Sequence, residues 1–124
     1  MDATRIIAIR HGETSWNATG RIQGHTDIPL NATGQAQAQQ AAQALADETL
    51  AAIYSSDLQR AWQTAQALAT TTQTALYPEP GLRERCFGVF EGRTFAEVAQ
   101  SHPEDSHRWR KRDPAFAPEE GESL

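Results

Sequence analysis

The sequence predicts an α/β fold, an open and mainly parallel sheet with helices on both faces. Two patterns carry that reading. Short β-branched or aromatic runs alternate along the chain with longer alanine-rich stretches of helical spacing, and loops rich in Gly, Asn, Thr and Pro separate them. At 124 residues the chain has the length of one compact domain, with 39% apolar and 22% charged residues as in globular proteins.

Each element has its own signal. Ile6 to Ile9 is a β-branched run that stops at Arg10-His11-Gly12, where the glycine permits a sharp turn, so a strand followed by a loop is expected. From Ala32 to Ala46, Ala38, Ala41, Ala42 and Leu45 share one helical face, while Gln35, Gln39 and Gln43 share the other. Asn31 is the expected cap of that helix. Leu50 to Tyr54 reads as a second strand. Ser55, Ser56 and Asp57 are N-cap candidates for a helix carrying Leu58, Ala61, Trp62, Ala65, Leu68 and Ala69 at helical spacing. Ala75 to Tyr77 reads as a third short strand, ended by Pro78 and Pro80. Thr94 and Glu97 have capping-box spacing, and Trp109 to Arg112 is expected to be helical. The string Ala-Gln-Ala-Leu-Ala occurs at 42 to 46 and again at 65 to 69, but two alanine-rich helices account for it without a repeat period.

Composition narrows the partners. A net charge of −5 gives no general basic surface for nucleic acid, and no window has the apolar length of a membrane span. Asp2, Arg5, Arg10 and Glu13 interrupt the first fifteen residues, so no signal-peptide core is present there, and Cys86 is the single cysteine. A cytoplasmic protein without internal disulfides is expected, its oligomeric state unspecified.

The chemistry concentrates where the first strand ends. In open α/β sheets ligands collect outside the carboxyl ends of the strands, which is where Arg10 to Thr14 should fall. A histidine there acts as a nucleophile if a backbone carbonyl holds one ring nitrogen as a donor, leaving the other with its lone pair. Arg10, beside His11, and Arg60, in the first turn of a helix, would offer bidentate hydrogen bonds to the oxygens of a transferring group. The N-terminus of that helix would add backbone donors aimed at the same anion. Glu84 is the candidate proton donor for the leaving oxygen, since a carboxyl tucked against Phe87 and Phe90 would tend to keep its proton.

These pieces resemble a family. Arg10 to Thr14, Trp16-Asn17, Gly20-Arg21 with Gln23-Gly24, Asp27 with Pro29-Leu30-Asn31, and Gly34 resemble the opening of histidine phosphatases and cofactor-dependent phosphoglycerate mutases. Ser55 to Leu58 with Arg60-Ala61 and Thr64-Ala65 resembles a second block, Glu84 to Gly88 through Glu91-Gly92 a third, and Pro118 to Ser123 a fourth. Arg-His-Gly alone would arise by chance in roughly one chain in a hundred of this size. Four blocks in register make a much stronger signal. The resemblance implies a phosphoglycerate-mutase-like sheet, with His11 as the phosphorylated nucleophile and Glu84 as proton donor and acceptor. It implies that Arg10, Asn17 and Arg60 bind phosphate and that Gln23 and Gly24 lie near a small phosphorylated metabolite. No metal or other cofactor is implied.

One departure stands out. The family's pocket includes a second histidine after a late strand, typically followed by glycine, and His25, His102 and His107 do not match that pattern. The expectation is therefore a histidine phosphatase domain over residues 1–124 that is truncated at its C-terminus. Such a piece would be marginally stable, with open sheet edges and apolar faces. Loss of a charge-stabilising histidine would remove several kcal/mol from the transition state, on the order seen when one preorganised donor is deleted.

Other side chains have plainer readings. Cys86 lacks the arginine that closes a cysteine-phosphatase loop six positions on, because position 92 is Gly, and a small buried hydrophobe is the expected role. His102 and His107 miss the four-residue spacing of paired helical metal ligands. The run Arg108, Arg110, Lys111, Arg112 reads as a solvated helix face, with substrate-carboxylate binding as the alternative. The expected function is hydrolysis of small phosphate monoesters through a phosphohistidine. The alternatives are a phosphoglycerate mutase and a truncated, non-catalytic form that binds phosphorylated ligands or another protein.

Overall fold

A computed structural model describes residues 3–124. Its helices are α1 (Ser15–Ala18), α2 (Ala32–Ala44), α3 (Gln59–Thr72), α4 (Phe95–Ser101) and α5 (Pro103–Arg110). Strands β1 (Ile53–Ser55) and β2 (Leu76–Pro78) flank α3, and 3-10 turns span Pro80–Leu82 and Gly88–Phe90.

Strands β1 and β2 pair in parallel, Ile53 opposite Leu76 and Ser55 opposite Pro78. The crossover between them is α3, so this part of the chain is a β-α-β unit and the α/β class with parallel pairing is as expected. Ile53 and Ser55 are buried while Tyr54 between them is exposed, the period-two alternation of a strand with one covered face. On the open face Tyr54 stacks on Tyr77 with ring centroids 5.5 Å apart. Helix α3 packs against both strands and α2 packs against α3.

Local signals explain most helix ends. Asn31 caps α2 as expected, its side chain accepting from Gly34 N–H, and Gly34, Ala38 and Ala42 form the buried stripe. Thr94 and Glu97 form the expected capping box of α4. Three expectations need correction. Ile6 to Ile9 forms no strand: these residues make no backbone ladder, and Ile6 is 85% exposed. β-Propensity describes fit to a paired, half-buried surface, and β1 spends its pairing on β2. Helix α3 is not side-chain-capped by Ser55, Ser56 or Asp57; Leu58 is its N-cap, Ser56 Oγ accepts from Leu58 N–H, and distant Asp27 accepts from Gln59 N–H at 2.7 Å. The last helix begins at Pro103 and ends at Arg110, before Arg112, whose φ of 54° is left-handed.

A hydrophobic core lies beyond the β-α-β unit. Ile22, Phe90, Val98 and Phe116 are buried together, with Phe87, Val89 and Trp109 packed on them. Trp109 meets the rings of Phe87, Phe90 and Phe95 at 5.2–5.4 Å. This cluster anchors the loop around Ile22, which exchanges backbone bonds with Gly92 and Arg93. Among the described residues no helix is long and apolar enough to cross a membrane.

Candidate active site

The His11 ring is half-buried, and its Nδ1 lies 2.7 Å from the carbonyl oxygen of Gly12. A carbonyl can only accept, so Nδ1 carries the proton and Nε2 of the neutral ring keeps its lone pair. Burial is the largest influence on this imidazole and pushes its pKa below the ordinary value. The Gly12 bond opposes that shift, the Arg60 and Arg10 charges add to it, and the Glu84 charge opposes it. The net result is a neutral histidine near neutral pH.

The loop that carries His11 is held from two helices. Gly12 N–H donates to Thr64 Oγ1 of α3 at 3.0 Å, and that hydroxyl donates to Arg60 O at 2.8 Å. Glu13 N–H donates to Gln37 Oε1 of α2 at 2.8 Å. Asn31 donates to the Glu13 backbone oxygen through its own N–H and to Glu13 Oε1 through Nδ2. Gly12 serves close approach rather than the sharp turn expected of it, and its φ is not left-handed. A Cβ there would lie 3.0 Å from Gly34 Cα, and one on Gly34 would lie 2.8 Å from Glu13 N. Two facing glycines thus let the loop cross the first turn of α2.

Arg60 is 2% exposed, so it is no solvent-facing helix residue. Its guanidinium donates to Thr26 O at 2.9 Å and to Gly24 O at 2.5 Å. Burial lowers its pKa, and the charges of Glu84, Asp27 and Glu91 act in the opposite direction. The loop from Gly24 to Thr26 that supplies those carbonyls is clamped by Glu91. One carboxylate oxygen accepts from Thr26 N–H and hydroxyl at 2.7 and 2.5 Å, the other from Phe87 N–H at 2.9 Å and from the Cys86 thiol at 3.4 Å. Burial alone would raise the Glu91 pKa, but the bonds donated by Thr26 and Phe87 outweigh it and hold the carboxyl below its ordinary value. Gly24, with a φ of 60°, has no room for a Cβ beside that carboxylate.

Asn17 and Gln23 converge on Thr14, which is fully buried. Thr14 N–H donates to Asn17 Oδ1 at 3.0 Å and Asn17 N–H to Thr14 Oγ1 at 3.1 Å, a capping box for α1, while the Thr14 hydroxyl donates to Gln23 Oε1 at 2.6 Å. Their side-chain oxygens thereby accept, and among the described residues their NH2 groups make no hydrogen bond. Arg10 is exposed beside His11. Glu84 acts electrostatically on both His11 and Arg60, but its expected apolar surroundings are absent. It is exposed and accepts from Arg85 N–H, because Phe87 and Phe90 turn into the Trp109 cluster. The charges of Arg10, Arg60 and Glu84 thus act on His11, Gly24 O accepts from Arg60, and Asn17 and Gln23 both bond to Thr14.

Sequence reasoning gave no role to Thr64, Gln37 or Glu91. Thr64 was legible in principle, since a polar residue four positions after Arg60 falls on the same buried stripe. Gln37 and Glu91 act on distant backbone groups and left no local pattern. Of the remaining histidines, His25 Nε2 is 3.6 Å from Glu122, His102 bonds Ser101 and packs against the Phe90 ring, and His107 is exposed on α5. Cys86 is only partly buried and donates to Glu91, so it is not simply a packed hydrophobe. Burial raises its pKa, and Glu91 and Glu122 add to this against a bond from Gly88, which disfavours the thiolate a nucleophile would need. In the basic run, Arg108 pairs with Asp113 and covers Phe116, while Arg110, Lys111 and Arg112 are exposed. Among the described residues no group of three or more His, Cys, Asp or Glu could hold a metal ion.

Known proteins resemble the chain in sequence and in fold. The chain is 40% identical over 106 residues to phosphoglycerate mutase-like protein 4 of Arabidopsis thaliana, covering 84% of this chain and 46% of that protein. It is 37% identical over 120 residues to phosphoserine phosphatase 1 of Hydrogenobacter thermophilus, covering 97% and 57%. A solved mycobacterial glucosyl-3-phosphoglycerate phosphatase, in complex with VO3, superposes with a TM-score of 0.84 at 37% identity, over 91% of this chain and 56% of that one. The chain thus spans about half the length of the curated relatives it matches. A family model for the histidine phosphatase superfamily (branch 1) matches residues 6–124. That match spans nearly the whole chain, and the chain belongs to the histidine phosphatase superfamily.

Proposed function

We propose that the protein hydrolyses small phosphate monoesters through a phosphohistidine on His11. The observation that carries this reading is the 2.7 Å contact between His11 Nδ1 and Gly12 O, which leaves Nε2 as the nucleophilic nitrogen. In the first step the Nε2 lone pair attacks phosphorus and the bond to the ester oxygen breaks, with Glu84 giving its proton to the departing alcohol. In the second, water attacks phosphorus, Glu84 takes the water proton, the N–P bond breaks and inorganic phosphate leaves. Arg10 and Arg60 supply positive charge to the phosphoryl oxygens, and the Asn17 amide adds a donor. Gln23 and Gly24 border the substrate. Exposure suits Glu84 to a proton shuttle that exchanges with water between the two steps. Matched relatives bear the names of phosphatases acting on phosphoserine and glucosyl-3-phosphoglycerate, which supports a small phosphorylated metabolite as substrate. A reducing, cytoplasmic setting accompanies this reading, with Cys86 a free thiol.

The test is release of inorganic phosphate from p-nitrophenyl phosphate and from 3-phosphoglycerate, by this chain and by any longer product of the same gene, each with its His11→Ala variant. Release that falls to background in the variant is expected. Release that survives in His11→Ala would overturn the assignment, and interconversion of phosphoglycerates without release would make the protein a mutase.

A further inference from the structure

We propose that Gln37 and Thr64 are positioning residues that set the tautomer of His11 through two successive backbone amides. This rests on His11 as nucleophile, because a positioned tautomer matters only if Nε2 reacts. The peptide between Gly12 and Glu13 has two ends. Its carbonyl accepts the proton of His11 Nδ1 at 2.7 Å, and its N–H donates to Gln37 Oε1 at 2.8 Å. Because the peptide is planar, fixing the N–H fixes the direction of the carbonyl. The preceding peptide, between His11 and Gly12, is held the same way: its N–H donates to Thr64 Oγ1 at 3.0 Å, and Thr64 is anchored by its own bond to Arg60 O. Both flanking planes of Gly12 are therefore pinned by side chains from different helices. Gly12 is the residue most in need of this, since it has no side chain to limit its own dihedrals.

The consequence is specific. A neutral imidazole in water prefers to carry its proton on Nε2, which would place the proton on the nitrogen that must attack phosphorus. Holding the Gly12 carbonyl toward Nδ1 reverses that preference. Gln37 does so from an exposed position on α2 and Thr64 from a buried one on α3, so the two can be perturbed separately.

The experiment is 15N NMR of the chain labelled with [15N]histidine, at a pH where His11 is neutral, with the His11 signals assigned through His11→Gln. In the unaltered chain His11 should show a protonated, pyrrole-type Nδ1 and an unprotonated, pyridine-type Nε2. Gln37→Ala and Thr64→Val should move the two resonances toward each other as the second tautomer appears. Thr64→Ser, which keeps the hydroxyl, should restore the original pair, and Gln43→Ala, an exposed glutamine of the same helix, should leave it unchanged. Unaltered His11 resonances in Gln37→Ala and in a folded Thr64→Val would overturn the proposal. Should Thr64→Val fail to fold, Gln37→Ala decides alone, since its site is on the surface. The readout needs no turnover, so the two readings are tested apart: phosphate release that survives in His11→Ala would refute the phosphohistidine reading and leave the positioning role standing.

Discussion

Replacing Gly34 by alanine sets two physical effects against each other. Gly34 is the third residue of α2, and alanine is the better helix former by about 1 kcal/mol, so propensity alone predicts stabilisation. Packing predicts the reverse. The added methyl would lie 2.8 Å from Glu13 N and 2.9 Å from its carbonyl carbon, and closer still to the carbonyl oxygen. These are backbone atoms, and Glu13 is tied down by Asn31 N–H, Asn31 Nδ2 and Gln37, so the clash cannot be relieved by rotating a side chain. Overpacking of this kind costs about 1–3 kcal/mol. Loosening the bonds around Glu13 adds about 1 kcal/mol for each one lost. The net expectation is destabilisation by about 2 kcal/mol, or a fall in Tm of roughly 6–8 °C for a chain of this size. Urea and thermal unfolding followed by circular dichroism measure it, with exposed Gln35→Ala as the comparison, expected within about 0.5 kcal/mol of the parent. A Gly34→Ala chain as stable as the parent, or more so, would show that the loop does not cross α2 at this point.

Three further outcomes follow from the site. His11 should titrate with a midpoint below its ordinary 6.5 in a 1H NMR titration; because the unfolded chain then binds more protons, stability should rise with pH from the folded midpoint up to about 6.5 and level off above it, a slope absent in His11→Gln. A midpoint above 6.5 would contradict the burial and arginine charges as its dominant influences. Glu91→Gln should destabilise by about 1.5–3 kcal/mol in urea unfolding, since both carboxylate oxygens accept from donors and an amide sets NH2 against one side; a neutral result would remove the clamp. Arg60→Lys cannot reach Gly24 O and Thr26 O with two fixed prongs, so vanadate affinity measured by calorimetry should drop at least tenfold, and unchanged affinity would exclude Arg60 from the anion site.

What the sequence disclosed depended on range. Asn31 and the Thr94–Glu97 box were readable because a cap is a contact over three residues. The β-α-β unit was readable from its alternation, although β1 proved shorter than the run from Leu50. The end of α3 was misread because Asp27, remote in sequence, supplies the acceptor that a local serine was expected to give. Ile6 to Ile9 has strand composition, but a strand exists only with a partner, and composition does not say which partner is present. Within the site, His11, Arg10 and Arg60 stood out by residue type and position. Glu84 was expected in apolar surroundings and is exposed instead, because the apolar neighbours in its segment turn the other way. Gln37, Thr64 and Glu91 work through backbone atoms 24, 52 and 65 residues away, where no local spacing rule applies.

The central claim is that Nε2 of His11 accepts the phosphoryl group. The most direct measurement is to quench the protein rapidly in base during reaction with a phosphate monoester and locate the phosphoryl group by 31P NMR and peptide mass spectrometry. An acid-labile, base-stable phosphoryl group on Nε2 of His11, absent from His11→Ala, is the predicted result. A phosphoryl group on Nδ1 or on another side chain, or turnover with no trapped phosphoprotein, would contradict it.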